Sequence, residues 1–358
     1  MKAAAAELVF IPAPGMGHLV STVEMAKQLI GRDHRLSITV LIMKAPFHKS
    51  KVVSSTQSLL LKAAEDRLKF VELPQDDEAA AAVAELRSKN AGNFMTELVN
   101  MNKHHVRDHV TKMMVSGRLD GFVVDMFCTP MMDVAAEFGL PTYAFLTSNC
   151  ALLGLIFHLD TLSRNQDVTE LKDSDAELEV PVFVNPVPAK VLPAVVLDKE
   201  EGSTFMLGVA KRLRETKGIM VNTFEELESY AVKRLAEDDM VPPIYPVGPV
   251  LHLLKDEKEE DEEDEEVREI AQALEQSKHR FLWSLRQPPP KGKIEMPNEI
   301  ENGIRRLMEN GDKSSTEGIK HKVKEMSKKS KIAIKEGGSS YKSIGRFIED
   351  VIINMHSS

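Results

Sequence analysis

Along the first 150 residues, hydrophobic and polar positions alternate between two patterns, one typical of strands and one typical of helices. Short apolar runs at residues 8–11 and 36–42 are rich in β-branched side chains, which is typical of buried strands. Between them lies a stretch whose apolar residues recur at helical spacing. These are Leu19, Val23, Ala26, Leu29 and Ile30. Strands that alternate with helices predict an α/β fold with a parallel sheet covered by helices.

The same patterns extend this fold toward the middle of the chain. Further strands are predicted at residues 68–73, 122–124, 143–146 and 219–222, and helices at about 78–115, 131–138 and 204–217. Residues 167–202 lack periodicity, so they are predicted to form an irregular loop with a short strand or two. Four prolines between Val241 and Pro249 exclude a helix. We interpret that segment as an interdomain linker.

Charge is concentrated in one short segment. The run from Lys255 to Glu266 carries −8 of the formal net charge of −9, so the remainder of the chain is close to neutral. The sequence shows no basic face of the kind that binds nucleic acid, so nucleic-acid binding is not expected. The acidic run itself is predicted to be a solvated linker, with a tail that binds a basic protein as the alternative.

Cysteine content and hydropathy indicate the compartment. Cys128 and Cys150 are the only cysteines, too few for a disulfide framework, and they fit a reducing environment. Glu7, Pro12 and Pro14 interrupt the apolar N-terminal stretch, so neither a signal peptide nor a membrane span is expected. The sequence therefore predicts a cytoplasmic protein without a membrane span.

A turn with candidate chemistry follows the first predicted strand. It contains Gly15, Gly17 and His18, but neither the third glycine of a dinucleotide fingerprint nor the lysine of a P-loop. His18 opens a helix, whose positive dipole end favours a neutral imidazole that can act as a base at pH 7. The alternative is that His18 only caps the helix.

Two other strand ends carry polar side chains. Asp125 closes an apolar strand, where a carboxylate needs a partner. It could hold one ring nitrogen of His18, or cap the next turn. Thr147 and Ser148 close another strand at the same sheet edge, where they could bind a sugar or cap the next helix. Histidines elsewhere lack carboxylates at ligand spacing, so no metal site is predicted.

Five segments now show a resemblance to a known family. They are residues 10–18 (FIPAPGMGH), 124–127 (VDMF), 145–149 (FLTSN), 218–224 (GIMVNTF) and 245–249 (YPVGP). In this order they resemble the plant family 1 UDP-glycosyltransferases, and most closely the branch that glucosylates flavonoids, terpenoids and other small phenolics. The resemblance implies a GT-B type fold, in which two Rossmann-like domains face each other.

The resemblance also implies roles for individual residues. His18 would be the general base, Asp125 would orient it, and Thr147 would contact the donor sugar. Gly17, Phe127, Thr147 and Ser148, which lie within the matching segments, are expected to bind the substrate. The implied reaction is inverting attack of an acceptor hydroxyl on a UDP-sugar, which serves as co-substrate, with neither a metal nor another cofactor.

The C-terminal part departs from the family pattern. The donor-binding block of the family, with its His-Cys-Gly-Trp-Asn-Ser motif, does not occur, and Trp283 is the only tryptophan. We therefore expect an acceptor-binding domain at residues 1–240, a linker at 241–266 and a reduced second Rossmann-like domain at 267–358. Ser284 and Arg286 are the residues expected to contact the donor there.

The sequence is compatible with two functions. The first is a UDP-sugar-dependent glycosyltransferase acting on a small-molecule acceptor. The second is a non-catalytic relative that keeps the acceptor cleft and binds small aromatic alcohols, because a diphosphate needs amide and side-chain donors that the missing block supplies in the family.

Overall fold

The structure, a computed structural model, describes residues 6–44, 66–75, 91–117, 119–164, 167–198, 202–251 and 313–355. The chain divides into two compact units. Met1–His252 and Glu325–Ser358 form the first, and Leu253–Lys324 the second. Of the second unit the structure describes only residues 313–324, where a helix begins. The sheet and the candidate site belong to the first unit.

The central sheet contains seven parallel strands, which are β1 Ala6–Ile11, β2 Leu36–Ile42, β3 Leu68–Glu72, β4 Gly121–Asp125, β5 Thr142–Leu146, β8 Ile219–Val221 and β9 Ile244–Pro246. They lie in the order β3-β2-β1-β4-β5-β8-β9. Phe10 of β1 pairs with Val40 on one side and Val123 on the other, which places β1 between β2 and β4. A separate antiparallel pair joins β6 (Glu177–Leu178) to β7 (Val187–Pro188).

Nine α-helices lie within the described ranges. They are α1 Met16–Arg32, α2 Ala91–Met101, α3 Lys103–Ser116, α4 Met132–Glu137, α5 Cys150–Leu162, α6 Gly202–Arg214, α7 Ser229–Ala236, α8 Lys313–Ala333 and α9 Ser339–Met355. Short 3₁₀ helices span Met126–Met131, Val168–Asp173, Ala189–Val191 and Ala194–Leu197. In this part of the chain, no helix combines the length and the apolar character that a bilayer crossing needs.

Both faces of the sheet are covered, as the continuous apolar runs predict. Successive side chains of a strand point to opposite faces. Leu8 and Phe10 accordingly pack with α1 and α9, whereas Val9 and Ile11 pack with α2, α3 and α4. A further apolar cluster joins β5 and β8 to α5, α6 and α7. The fold is therefore a helix-sheet-helix sandwich, and the predicted α/β class with a parallel sheet is correct.

The helices depart from the sequence predictions at their boundaries. The described part of the helix expected at 78–115 is two helices, separated at Asn102, whose Nδ2 donates to the Leu98 carbonyl at 2.8 Å. Residues 78–90 of that prediction lie outside the described ranges. The helix expected at 131–138 is α4, preceded by the 3₁₀ helix Met126–Met131.

The Pro-rich segment requires a correction. We expected a linker beginning at residue 241, but Ile244–Pro246 is β9, the seventh strand of the sheet. The prolines do exclude a helix, yet they are compatible with an edge strand because its outer side needs no amide donor. Residues 252–266, which include the acidic run, lie outside the described residues.

Helix α9 also packs against the central sheet of the first unit, although the sequence analysis assigns it to the second domain. Phe347 of α9 is fully buried, and its ring meets Tyr143 at 5.2 Å and Tyr245 at 5.4 Å, both edge-on. The hydroxyl of Tyr245 donates to Asp350, and Asn354 Nδ2 donates to the hydroxyl of Tyr143 at 2.7 Å. α9 therefore completes the core of the first unit.

Truncating this contact should unfold the first unit at lower denaturant concentration. We expect Phe347→Ala to lower the free energy of unfolding by about 3–5 kcal/mol, because it leaves a cavity between two buried tyrosines. Urea unfolding followed by tyrosine fluorescence measures this. Ile353→Ala on the same helix, with a side chain 59% exposed, serves as control and should change stability by at most about 0.5 kcal/mol. Equal losses in both variants would contradict the packing role of α9.

Candidate active site

Three adjacent parallel strands bring the candidate residues together. β1, β4 and β5 are neighbours, so their carboxyl ends lie at one edge of the sheet, where ligands bind in such folds. Ile11 pairs with Val124, and Asp125 with Phe145. His18, Asp125 and Thr147 follow or end these strands. The topology thus confirms that all three residues lie at the same edge.

His18 and Asp125 form a hydrogen-bonded pair. The distance between His18 Nδ1 and Asp125 Oδ2 is 2.7 Å; the Asp125 side chain is fully buried and that of His18 is 29% exposed. An ionised carboxylate only accepts hydrogen bonds, so Nδ1 carries the proton in the neutral ring. Nε2 then has the free lone pair, which makes it the basic atom.

Asp125 serves two purposes at once. Its Oδ1 accepts the amide proton of Phe127 at 3.0 Å and thereby caps the 3₁₀ helix Met126–Met131. Its Oδ2 holds His18. The two interpretations left open by the sequence, a cap and an orienting carboxylate, are therefore both realised by one side chain. For α1 the N-cap residue is Gly15, so His18 does not cap the helix.

The pKa of His18 differs from the sequence expectation. Burial lowers the pKa of the ring, but the hydrogen bond to Asp125 and the charge of that carboxylate together outweigh burial, so the net shift is upward from 6.5. We expected the helix dipole to keep the ring neutral. The structure corrects this expectation, because the carboxylate in direct contact stabilises the imidazolium.

Thr147 joins the pair, whereas capping of α5 is done by other residues. Thr147 Oγ1 lies 3.3 Å from His18 Nδ1. The first amides of α5 are satisfied by Asn149, which accepts from Leu152, and by Glu228, whose carboxylate accepts from the amides of Cys150 and Ala151 at 3.0 Å each. The alternative that Thr147 or Ser148 caps this helix is therefore wrong.

A cavity of about 390 Å³ opens beside this pair. Three of its lining residues are polar and seven are apolar. The polar ones are His18, Thr147 and Ser148, and the apolar ones are Met126, Phe127, Leu152, Pro193, Val195, Val196 and Met206. The ring of Phe127 lies 5.5 Å from that of His18 and stacks on Phe205 at 5.8 Å. The cavity therefore suits a ligand with an apolar body and a polar group near His18.

Not every predicted site residue reaches this cavity. Gly17 lies in the first turn of α1 and is absent from the described lining, and an added Cβ there would meet no atom within 4 Å. Ser284 and Arg286 lie outside the described residues. Among the residues that the structure does describe, no group of three or more His, Cys, Asp or Glu side chains could hold a metal ion.

Sequence reasoning missed Glu228 and the wall of the cavity. Glu228 contacts amides 77 and 78 positions earlier in the chain, and no local spacing signals such a contact. The wall residues lie in the irregular segment, and they are Pro193, Val195 and Val196. Because this segment has no periodicity, its sequence does not indicate which side chains point toward the cavity. The one indication of this wall in the sequence is that an apolar irregular segment follows the polar residues Thr147 and Ser148 at the end of a strand.

A buried carboxylate thus holds a histidine beside an apolar cavity, at the carboxyl edge of a parallel sheet, and such a pair can take a proton from a hydroxyl group. No protein-family model matches the chain. Among curated proteins, the chain is 46% identical over 336 residues to UDP-glucose flavonoid 3-O-glucosyltransferase 6 of Fragaria ananassa, covering 82% of this chain and 68% of that protein. It is 42% identical over 330 residues to UDP-glycosyltransferase 71E1 of Stevia rebaudiana, covering 83% and 66%.

Solved structures agree with these relatives. The chain aligns with UGT71G1 of Medicago truncatula complexed with UDP-glucose, with a TM-score of 0.72, 27% identity and coverage of 97% of this chain and 98% of that one. A transferase from Siraitia grosvenorii in complex with UDP gives a TM-score of 0.75 at 29% identity, with coverage of 97% and 100%. The chain belongs to the plant UDP-glycosyltransferases, and the predicted GT-B fold class is confirmed. It spans about two thirds of the length of the two curated relatives.

The origin of the raised pKa can be tested by substitution. In Asp125→Asn the amide oxygen still accepts from Phe127, but the charge is lost, and an amide nitrogen, which only donates, replaces the oxygen that accepted from His18. We expect the pKa of His18 to fall from above 6.5 to below it. NMR titration of ring protons measures both values. The pKa of His158, lowered by burial, is the internal control and should not move. An unchanged His18 pKa would contradict the assignment.

Proposed function

We propose that this chain transfers a sugar from a UDP-sugar to a hydroxyl group of a small, largely apolar acceptor such as a flavonoid or terpenoid. The observation that carries the proposal is the His18–Asp125 pair, 2.7 Å apart, at the polar end of an apolar cavity. The names of the relatives, which include a flavonoid 3-O-glucosyltransferase, support the same reaction.

The proposed chemistry is general-base catalysis with inversion. Nε2 of His18 takes the proton of the acceptor hydroxyl while the oxygen attacks the anomeric carbon of the sugar. The bond from that carbon to the diphosphate breaks on the opposite face, and UDP leaves with the electron pair. Asp125 holds the ring in the required tautomer and stabilises the imidazolium that forms.

Other lining residues have roles that follow from their positions. Thr147, within 3.3 Å of His18, is proposed to contact the donor sugar. Phe127 and Ser148 are proposed to contact the acceptor. Gly17 does not line the cavity, but it is proposed to contact the substrate from the first turn of α1, where an added Cβ would meet no atom within 4 Å. The apolar lining favours a ligand body without charge, since a buried charge needs a partner.

The donor and the compartment are further parts of the proposal. Ser284 and Arg286 are proposed to contact the donor in place of the family block that the sequence lacks. Two free, buried thiols, Cys128 and Cys150, support a cytoplasmic location, because reducing conditions keep thiols free. The relatives favour the enzyme over the non-catalytic alternative.

Removal of the base tests the proposal directly. We expect His18→Ala to lower the rate of UDP release in the presence of acceptor by about 10²–10⁴-fold, because proton transfer loses its acceptor. A coupled UDP assay with UDP-glucose and a flavonol measures the rate. His109→Ala, on α3 and outside the cavity lining, is the control and should retain the rate. Equal rates in both variants would contradict the role of His18.

Donor binding is a separate requirement. Titration calorimetry of UDP and UDP-glucose with the folded chain is expected to give micromolar dissociation constants, with the same value in His18→Ala because that side chain acts on the acceptor. Absence of heat at millimolar donor, from a chain with native circular dichroism, would contradict the transferase and support the acceptor-binding relative.

A further inference from the structure

One wall of the cavity is formed by a segment without regular structure of its own. Pro193 and the 3₁₀ helix Ala194–Leu197 supply three of the ten lining residues, and Met206 of the adjacent α6 supplies a fourth. At the start of this turn the Val196 amide donates to the Pro193 carbonyl at 3.0 Å. The turn is only four residues long, so the elements packed against it set its position.

The neighbour that positions the segment is the first residue of α6. A Cβ on Gly202 would lie 2.6 Å from the carbonyl oxygen of Val195, closer than a carbon atom can approach it, and 3.0 Å from the Asp198 side chain. The Gly202 amide donates to Asp198 Oδ2 at 2.9 Å, and the Ser203 amide donates to the Asp198 carbonyl at 3.2 Å. The missing side chain of Gly202 therefore lets the wall segment sit directly against α6.

A second close approach holds the earlier part of the same loop. Val182 packs against Gly154 of α5, where an added Cβ would collide with the Val182 side chain. Leu152 of the same helix lines the cavity. The loop that carries the wall is thus seated on two helices, each at a glycine, and both helices contribute lining residues.

We propose that Gly202 is a specificity-determining position, which sets the size of the acceptor that can bring a hydroxyl group to His18. It touches neither ligand. It acts through the Val195 carbonyl, because any side chain at residue 202 must displace the wall segment that bounds the cavity. The inference rests on the proposed acceptor site, and it deepens that site by naming what selects among acceptors of different size.

The test compares two acceptors in three proteins. The acceptors are a single-ring phenol and a three-ring flavonol, and the quantity is the ratio of their kcat/KM values in the UDP-release assay. In Gly202→Ala we expect this ratio to change by about tenfold or more, the range for a change of one methylene in an apolar pocket. The KM for UDP-glucose should stay the same.

Gly208→Ala is the matched control. It makes the same change on the same helix, where an added Cβ meets no atom within 4 Å, so the acceptor ratio should equal that of the wild type. A purely structural role for Gly202 would lower both kcat/KM values equally and leave the ratio unchanged, and that result would overturn the proposal.

Two provisions keep the outcome decisive. If Gly202→Ala does not fold, Val195→Ala replaces it; truncation of this cavity-lining side chain, 37% exposed, should raise the flavonol preference by a similar factor. An unchanged ratio there would overturn the proposal.

If the wild type releases no UDP, the same ratio is taken from dissociation constants of the two acceptors, so that loss of turnover is distinguished from failure of the size selection.

Discussion

The parallel pairing of β1, β4 and β5 is the constraint on which the site depends. It brings His18 to Asp125 across 107 positions of sequence, and to Thr147 across 129. The cost is a fully buried carboxylate, which needs compensation. Asp125 receives it from the Phe127 amide and from the His18 ring, so the same two hydrogen bonds that satisfy the burial also fix the orientation of the base.

Burial and charge are therefore balanced locally around this carboxylate. The buried thiol of Cys128 responds to the same negative charge. Burial raises the pKa of this thiol well above the usual value, and the charge of Asp125 raises it further. A neighbourhood that disfavours a second anion favours a cation, and the imidazolium of His18 is the cation that base catalysis would generate. Position, tautomer and proton affinity of His18 all follow from one aspartate.

Much of this could be predicted from the sequence, because the signals are local. The strands around Phe10, Val124 and Phe145 are apolar runs, and the polar residues that end them identify the edge. Three features could not be predicted. β9 is hidden by prolines that resemble a linker, Glu228 acts at a helix 77 positions away, and the wall at Val195 has no periodicity. Each depends on contacts between distant segments, for which a single sequence holds no pattern.

The return of α9 to the first sheet has a consequence for synthesis of the protein. Phe347 fills the space between Tyr143 and Tyr245, so the core of the first unit stays open until α9 has been made. At about 5–20 residues per second, roughly a hundred residues of translation separate β9 from α9 by about 5–20 s. During that interval an apolar sheet face is exposed on the ribosome, and molecular chaperones have the opportunity to bind it.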